Sequence, residues 1–357
     1  MQTETRVRLF AEQLKTVIDT HDTLTGDQAA LATLALTRLE EEATSTTAFE
    51  PVVKLSKDLR AGADLLDSGG ARFLVDNYYA LQKMRIATAA YSRSAEDEPA
   101  LLFEWQSDQM RVLEDQTKNA IKRYASRKKA GVWLQSIVGI GPVLAGGILA
   151  HVDMTKTPGT QHLISFAGYT DPSRQLWLKG QKRPWNAKLK NLFWKCGESF
   201  VKQQNHKNDI YGKLYAKRKA KLWAQNLNGD FVDAAQKALK SKNYSKSTNA
   251  YKFYSGQIDP DWARETLEAK GAIPETLPKD ALKDGTPMLP PAHIHARATR
   301  FAVKIFISHV WQALYWLEQG DETLTHKDTY AIKFLGHERN GLIPVPNQEL
   351  ILELIRG

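Results

Sequence analysis

The sequence predicts a mainly α protein, and three observations carry that expectation. Apolar residues recur at helical spacings over 71–93 and again over 101–129. The first 115 residues show no alternating apolar–polar pattern of the kind a half-buried strand requires. Between them and the C-terminal half, Gly139-Ile140-Gly141 separates apolar Leu134 and Ile137 from a small-residue run through Ala145 and Leu149, which reads as helix, turn, helix. At 357 residues the chain can hold two or three domains with real cores.

Taken in order, 3–20 and 27–43 read as two surface helices about a turn at 21–26. A Thr-rich loop over 44–52 ends in Pro51, and 53–68 reads as a further helix stopped by Gly69-Gly70, closing an acidic helical region over 1–70. The next helix carries Phe73, Leu74, Tyr78, Leu81, Met84, Ile86 and Tyr91. After a polar break at 94–99, a second runs to about Lys129 through Leu101, Leu102, Trp105, Met110, Leu113 and Ile121. The heptad fit is poor, so 71–130 is expected to form a packed antiparallel helical hairpin rather than a dimerising coiled coil. A helix-hairpin-helix domain with basic helices follows over 131–225. Beyond it, 226–291 reads as a loop-rich linker: a turn at 226–229, a mobile Lys/Ser/Asn loop at 237–250, a short helix at 259–277 entered through Asp259-Pro260, and a proline-rich link at 286–291. A C-terminal helical segment, 292–357, holds a strong helix at 292–317 and a short, mixed tail from His326.

The 139–142 hairpin has specific chemistry. Its two glycines allow a tight turn and close approach to another surface. Pro142 suits the first position of the next helix, because it lacks the N–H that would be orphaned there. Free amides and the positive end of the helix dipole then face whatever lies beside the turn, which is an anion site. Gly139, Ile140, Gly141 and Pro142 are therefore candidate contacts to a nucleic-acid phosphate; the alternative is a glycine turn between two core helices.

Charge points the same way. Residues 174–221 hold 14 Lys or Arg against two acids, Glu198 and Asp209, whereas the whole chain is only +9. A run over 116–130 adds Lys118, Lys122, Arg123, Arg127, Lys128 and Lys129 without an acid, while residues 1–115 sum to −8. Positive charge thus flanks the hairpin on both sides, as phosphate neutralisation requires. Lys179, Lys182, Arg183, Lys188, Lys190 and Lys195 are the candidate phosphate contacts. Among the interleaved aromatics, Trp177, Trp185, Phe193, Trp194, Phe200, Tyr211, Tyr215 and Trp223, most are expected to be core residues of amphipathic helices, with the remainder free to stack on bases.

Other classes find little support. The single cysteine, Cys196, rules out an intramolecular disulfide and a Cys-based metal cluster. No N-terminal signal peptide is visible, and the apolar stretch 301–317 is interrupted by Lys304 and His309 and too short to span a bilayer. A soluble cytoplasmic protein without a membrane partner is expected. His293 and His295, at i and i+2, point about 200° apart on a helix and make poor co-ligands, with His309 further along. Glu198 is expected to pair with Lys195 or Lys202. Gly146-Gly147 reads as a close helix-packing site. No Walker-type loop, Ser-His-Asp order or zinc-finger spacing occurs. No cofactor is predicted; magnesium or a monovalent cation at the hairpin is the one alternative weighed.

Over 137–153 and 163–173 the chain resembles the C-terminal domain of insertion-sequence transposases that carry a RuvC-like DEDD half and use a structured bridge RNA. The Gly-Ile-Gly-Pro run, the Leu-Ala…Asp run and the Phe166–Pro172 turn carry the resemblance, together with the basic segment 182–198. It covers about a quarter of the chain. The same domain occurs in phage and mobile-element proteins. The resemblance implies a DNA-binding domain and a serine nucleophile in a Ser-Gly-Gly-like setting; here the stretch 173–180 offers Ser173 alone. It also implies an N-terminal RNase H-like sheet bearing metal-binding acids, and Asp64, Asp67 and Asp76 in a helical region do not form such a set. The expected function is nucleic-acid binding in a mobile element or virus, with double-stranded or branched DNA as ligand. The alternatives are a transposase or recombinase with a reduced catalytic set, and a structured-RNA-binding protein. The charge asymmetry between halves is compatible with a homo-oligomer.

Overall fold

A computed structural model describes residues 15–16, 28, 30–37, 57–94, 100–170, 177–259, 261, 265, 285–324 and 343–357. Among these the regular structure is entirely helical, as the apolar spacing predicts. The expected helices at 3–20 and 27–43 and the loop at 44–52 fall largely outside the described residues, as do most of 259–277 and Ser173. The chain divides into two compact units, Met1–Leu65 with Phe73–Ala120, and Leu66–Arg72 with Ile121–Gly357.

Among its described residues, the first unit holds short helical stretches at 15–16 and 30–37, α1 (Lys57–Asp64), most of α2 (Ser68–Ser94) and most of α3 (Ala100–Ser126). The Gly69-Gly70 pair does not stop a helix, as the sequence reading had it; it lies in the first turn of α2. The boundary is set by Asp67, whose Oδ1 accepts the Gly70 N–H at 2.6 Å and satisfies an amide that the new helix leaves open. Within the unit, α2 and α3 are joined by a buried polar knot. Glu114 accepts from Arg85 Nε at 2.6 Å and from Gln82 Nε2 at 3.1 Å. Burial works to raise the Glu114 carboxyl, but these donors outweigh it and hold its pKa below the ordinary value. The predicted apolar face is only partly covered. Val75 and Met110 are buried, whereas Phe73, Met84, Ile86, Tyr91, Leu102, Trp105 and Leu113 are exposed.

The second unit is built from α4 (Lys129–Ser136), α5 (Pro142–His151), a 3-10 turn (Met154–Lys156), α6 (Thr160–Phe166), α7 (Ala187–Lys202), α8 (Tyr211–Leu227), α9 (Val232–Ser241), α10 (Asn249–Ser255), α11 (Pro291–Gln319) and α12 (Gln348–Arg356). The predicted 292–317 helix is α11, and from Ile294 to Trp316 it buries a broad apolar surface in the unit's interior. Its first turns join one core with Tyr215, Trp223 and Phe253, and the rest joins another with Phe193, Phe200 and Tyr211. Phe306 is the centre of the second, with ring centroids 5.1 Å from both Phe200 and Tyr211. Of the eight aromatics in the basic region, Phe193, Phe200, Tyr211, Tyr215 and Trp223 are buried.

The stretch 237–250 is not simply a loop. It holds the end of α9, whose Ala235 is buried, and the start of α10, capped by Thr248 Oγ1 accepting from Tyr251 N–H. The basic composition hid an amphipathic helix that faces the core with one stripe. The tail likewise ends in an ordered helix: Trp133 Nε1 donates to Pro346 O at 2.9 Å and Asn347 Nδ2 to Ser136 Oγ at 2.7 Å, docking α12 on α4. Close helix approach at Gly146 agrees with the sequence reading, since a Cβ there would lie 2.5 Å from Ile121 Cγ2.

The knot in the first unit has a measurable consequence. Because the folded pKa of Glu114 is depressed, its contribution is present above the unfolded carboxylate pKa and is lost as pH falls through the folded value. Arg85→Ala should cost roughly 1–3 kcal/mol by leaving a buried carboxylate short of a donor. Denaturant unfolding at neutral and acid pH should show this loss shrinking on acidification; an unchanged loss would contradict the knot.

Candidate functional site

The hairpin forms with the expected boundaries: α4 ends at Ser136 and α5 begins at Pro142. Between them Ile140 N–H donates to Ile137 O at 2.9 Å, closing a turn with Gly139 at its third position. Gly139 has φ +92°, the left-handed region that makes this a type II turn and favours glycine. Its carbonyl accepts from Ser199 Oγ at 2.7 Å, which pins the turn to α7. A Cβ on Gly139 would also sit 3.0 Å from that hydroxyl.

Gly141 differs from the sequence expectation. Its backbone is ordinary extended chain, φ −83°, so the turn does not need glycine there. What it provides is access: it is exposed, and a Cβ would have nothing within 4 Å. With no side chain at this N-cap, the Val143 and Leu144 amides are unpaired within the helix. Ile140, by contrast, is buried and anchors the turn in the core.

The six basic candidates do not form a single patch. Lys188 and Lys195 share a stripe of α7 with Ser199, at spacings of eleven and four, and so follow the helix from the hairpin anchor. Lys179 and Lys182 are exposed in the segment before α7. Arg183 and Lys190 instead line a cleft of about 900 Å³ bounded by that segment, by α7 and by α11. There the Arg183 guanidinium lies 5.3 Å from the Trp177 ring centre and the Lys190 ammonium 4.4 Å from that of Trp185. Arg300, from α11, donates to Tyr169 O at 3.0 Å and Thr170 O at 2.6 Å, holding the end of the Phe166–Thr170 turn. Burial, followed by the neighbouring charges of Arg300 and Arg183, pulls the Lys190 pKa down.

His293 and His295 do diverge, as helical spacing requires. His293 Nδ1 is 3.0 Å from Tyr254 OH, and His295 Nδ1 is 2.9 Å from Tyr215 OH. His295 Nε2 lies 3.9 Å from Glu198 Oε1, an inter-helix pairing that local i, i+4 reasoning about Glu198 had missed. Burial and the nearby Arg297 and Lys242 lower the His293 pKa. Burial, with a hydrogen bond donated to Tyr244, pushes Tyr254 up to about 12. His309 is turned into the core, 2.8 Å from Tyr211 OH. Asp153 caps the 3-10 turn that follows α5. Its carboxylate accepts from Thr155 and pairs with Lys156 at 2.9 Å, which brings its pKa down to about 2. The divergence of the two histidines was legible in the sequence, but their partners were not, because each pairing joins residues dozens of positions apart, and the role of Asp153 depends on a cap. No family model, curated protein or solved structure matches the chain.

The two hairpin glycines should separate in mutagenesis. Gly139→Ala is expected to cost roughly 1–2 kcal/mol, the penalty for a side chain in the left-handed region. Gly141→Ala should stay within about 0.5 kcal/mol of wild type, as for other exposed substitutions. Chemical denaturation midpoints decide it, and equal losses would mean that the turn is not built as described.

Proposed function

We propose that the protein binds nucleic acid, double-stranded or branched DNA in preference to RNA, through the hairpin and the basic side chains around it. The observation that carries this reading is the exposed, side-chain-free backbone of Gly141 at the start of α5. A phosphate can approach to hydrogen-bond distance there, meet amides without intrahelical partners, and gain from the positive end of the helix dipole. Lys188 and Lys195 extend this contact along α7. The concentration of positive charge in 174–221 supports the reading. So does the resemblance of 137–153 and 163–173 to a transposase C-terminal domain, which suggests a mobile-element or viral setting. Contacts of this kind position a duplex and carry little base information, so shape or junctions should matter more than sequence. If strand transfer survives, metal-dependent nicking would be lost in Ser173→Ala with binding intact.

Affinity for a duplex measured across a salt series tests the reading. Neutralising about five to eight phosphates gives a log–log slope of roughly −5 to −7. Gly141→Leu, which keeps the fold, should weaken binding about tenfold by blocking a charge-assisted amide contact. A slope shallower than about −2, or a folded Gly141→Leu variant with wild-type affinity, would overturn the proposal.

A second reading, self-association, is favoured by the first unit. Phe73, Met84 and Tyr91 share one stripe of α2, and Leu102, Trp105 and Leu113 one stripe of α3, each about half or more exposed. Apolar stripes of this size usually meet a partner surface. Light scattering should give a mass above that of one 40.2 kDa chain, reduced by Trp105→Glu. A monomer at tens of micromolar protein would rule this out.

A further inference from the structure

The cleft between α7, α11 and the segment before α7 is chemically unlike the hairpin. Arg183, Lys190, Arg297 and Arg300 line it, and among the described residues none of the four makes an ion pair with a carboxylate. Like charges gathered in a half-buried space repel one another and are poorly hydrated, so an anion entering the cleft is stabilised by all of them. The depression of the Lys190 pKa by burial and by Arg300 and Arg183 is the same effect seen from the protein side.

Two further observations say what kind of anion fits. Trp177, Trp185 and Trp194 also line the cleft, and the Trp194 indole is 53 % exposed, an uncovered stacking face beside the cations. The single carboxylate lining the cleft among the described residues, Glu198, is held near His295 and can accept from ring or exocyclic N–H groups. Aromatic surface, cations and a lone acceptor together match a heteroaromatic ring joined to a phosphate. A volume of about 900 Å³ accommodates one.

We propose that this cleft holds one unpaired nucleotide unit, with its base against Trp194 and its phosphate among Arg183, Lys190 and Arg300. The nucleic-acid reading supplies one source, an unstacked nucleotide at a strand end or junction, and the inference rests on that reading for this source alone. A free mononucleotide presents the same chemistry.

The test uses the full chain and four probes: a blunt duplex, the same duplex with a short single-stranded extension, deoxyadenosine monophosphate, and inorganic phosphate. Anisotropy reports duplex binding and indole fluorescence reports the small ligands. The extended duplex should bind about tenfold tighter than the blunt one, as expected for stacking one base. Trp194→Ala, at an exposed side chain, should erase that advantage and leave blunt-duplex affinity and the melting temperature unchanged. Deoxyadenosine monophosphate binding that is lost in Trp194→Ala, with no advantage from the extension, would assign the cleft to free nucleotide. The same result with no duplex bound at all would retain the cleft and remove the hairpin reading. Equal affinity for both duplexes without mononucleotide binding overturns the proposal, and blunt-duplex binding would still stand for the hairpin. Inorganic phosphate binding as well as the nucleotide, unaffected by Trp194→Ala, also overturns it.

Discussion

Burial of α11 is the constraint on which the second unit depends. One helix of 29 residues supplies apolar groups to both cores of that unit, so each core is organised by a different part of the same rod. Enclosing such a helix brings its polar side chains inside as well, and each needs a partner there. His309 is met by Tyr211 OH on one nitrogen and by Ile343 O at 3.0 Å on the other, while Trp311 Nε1 donates to Thr157 O at 2.7 Å. Arg300 reaches the carbonyls of Tyr169 and Thr170. These bonds fix α11 in rotation as well as position, because an apolar helix alone could slip around its axis at little cost.

That fixed rod sets the geometry of the candidate sites. Helix α7 crosses α11 at Gly197, where a Cβ would lie 2.7 Å from Thr299 Cγ2 and 2.8 Å from Val303 Cγ2. The contact is close enough that α7 has one available height and one available rotation. Its Ser199 then pins the hairpin on one side, while Lys190, Trp194 and Glu198 face the cleft on another. A second clamp acts at the far end of the unit. The Asn226 carboxamide both donates to Leu289 O and accepts from Leu289 N–H, tying the proline-rich link to α8 just before α11 begins. The histidines at the start of α11 owe their divergent tyrosine partners to the same fixed rotation.

How much of this could be read in the sequence depended on the range of the interaction. Helices with strong local signals were legible: the Gly-Ile-Gly-Pro turn, the long α2 and α3, and α11 after its proline link. Where the signal was compositional it misled, because Lys, Ser and Asn in 237–250 resemble a loop even when Ala235 faces a core. Gly69-Gly70 misled for a related reason, since glycine is tolerated in a first turn and Asp67 determines where the helix starts. The hairpin could be located but its glycines not assigned separate tasks, because φ at Gly139 and open space at Gly141 are three-dimensional facts. The cleft was invisible for the strongest reason: Trp194, Arg300 and Thr299 meet only once α7 and α11 cross.

If nucleic acid binds as proposed, the two candidate sites would divide the physical work in a way that neither could do alone. Backbone amides at a helix start and lysines on flexible stems respond to charge and spacing, which are the same for every base pair. A ligand held only by these can slide, and its affinity falls steeply with salt because it rests on counterion release. Stacking on an indole depends on an accessible ring and is screened far less by ions. On the proposed reading, the base stacked on Trp194 would add a term less sensitive to salt than the phosphate contacts, present only where a base is already unpaired. If the proposal holds, a strand leaving the hairpin along Lys195 and Lys188 would be held at a constant setting relative to the cleft, because Ser199 of α7 pins the hairpin and the crossing with α11 fixes α7. Discrimination in such an arrangement would come from where a duplex ends or branches, with sequence entering only through the ease of unstacking one base.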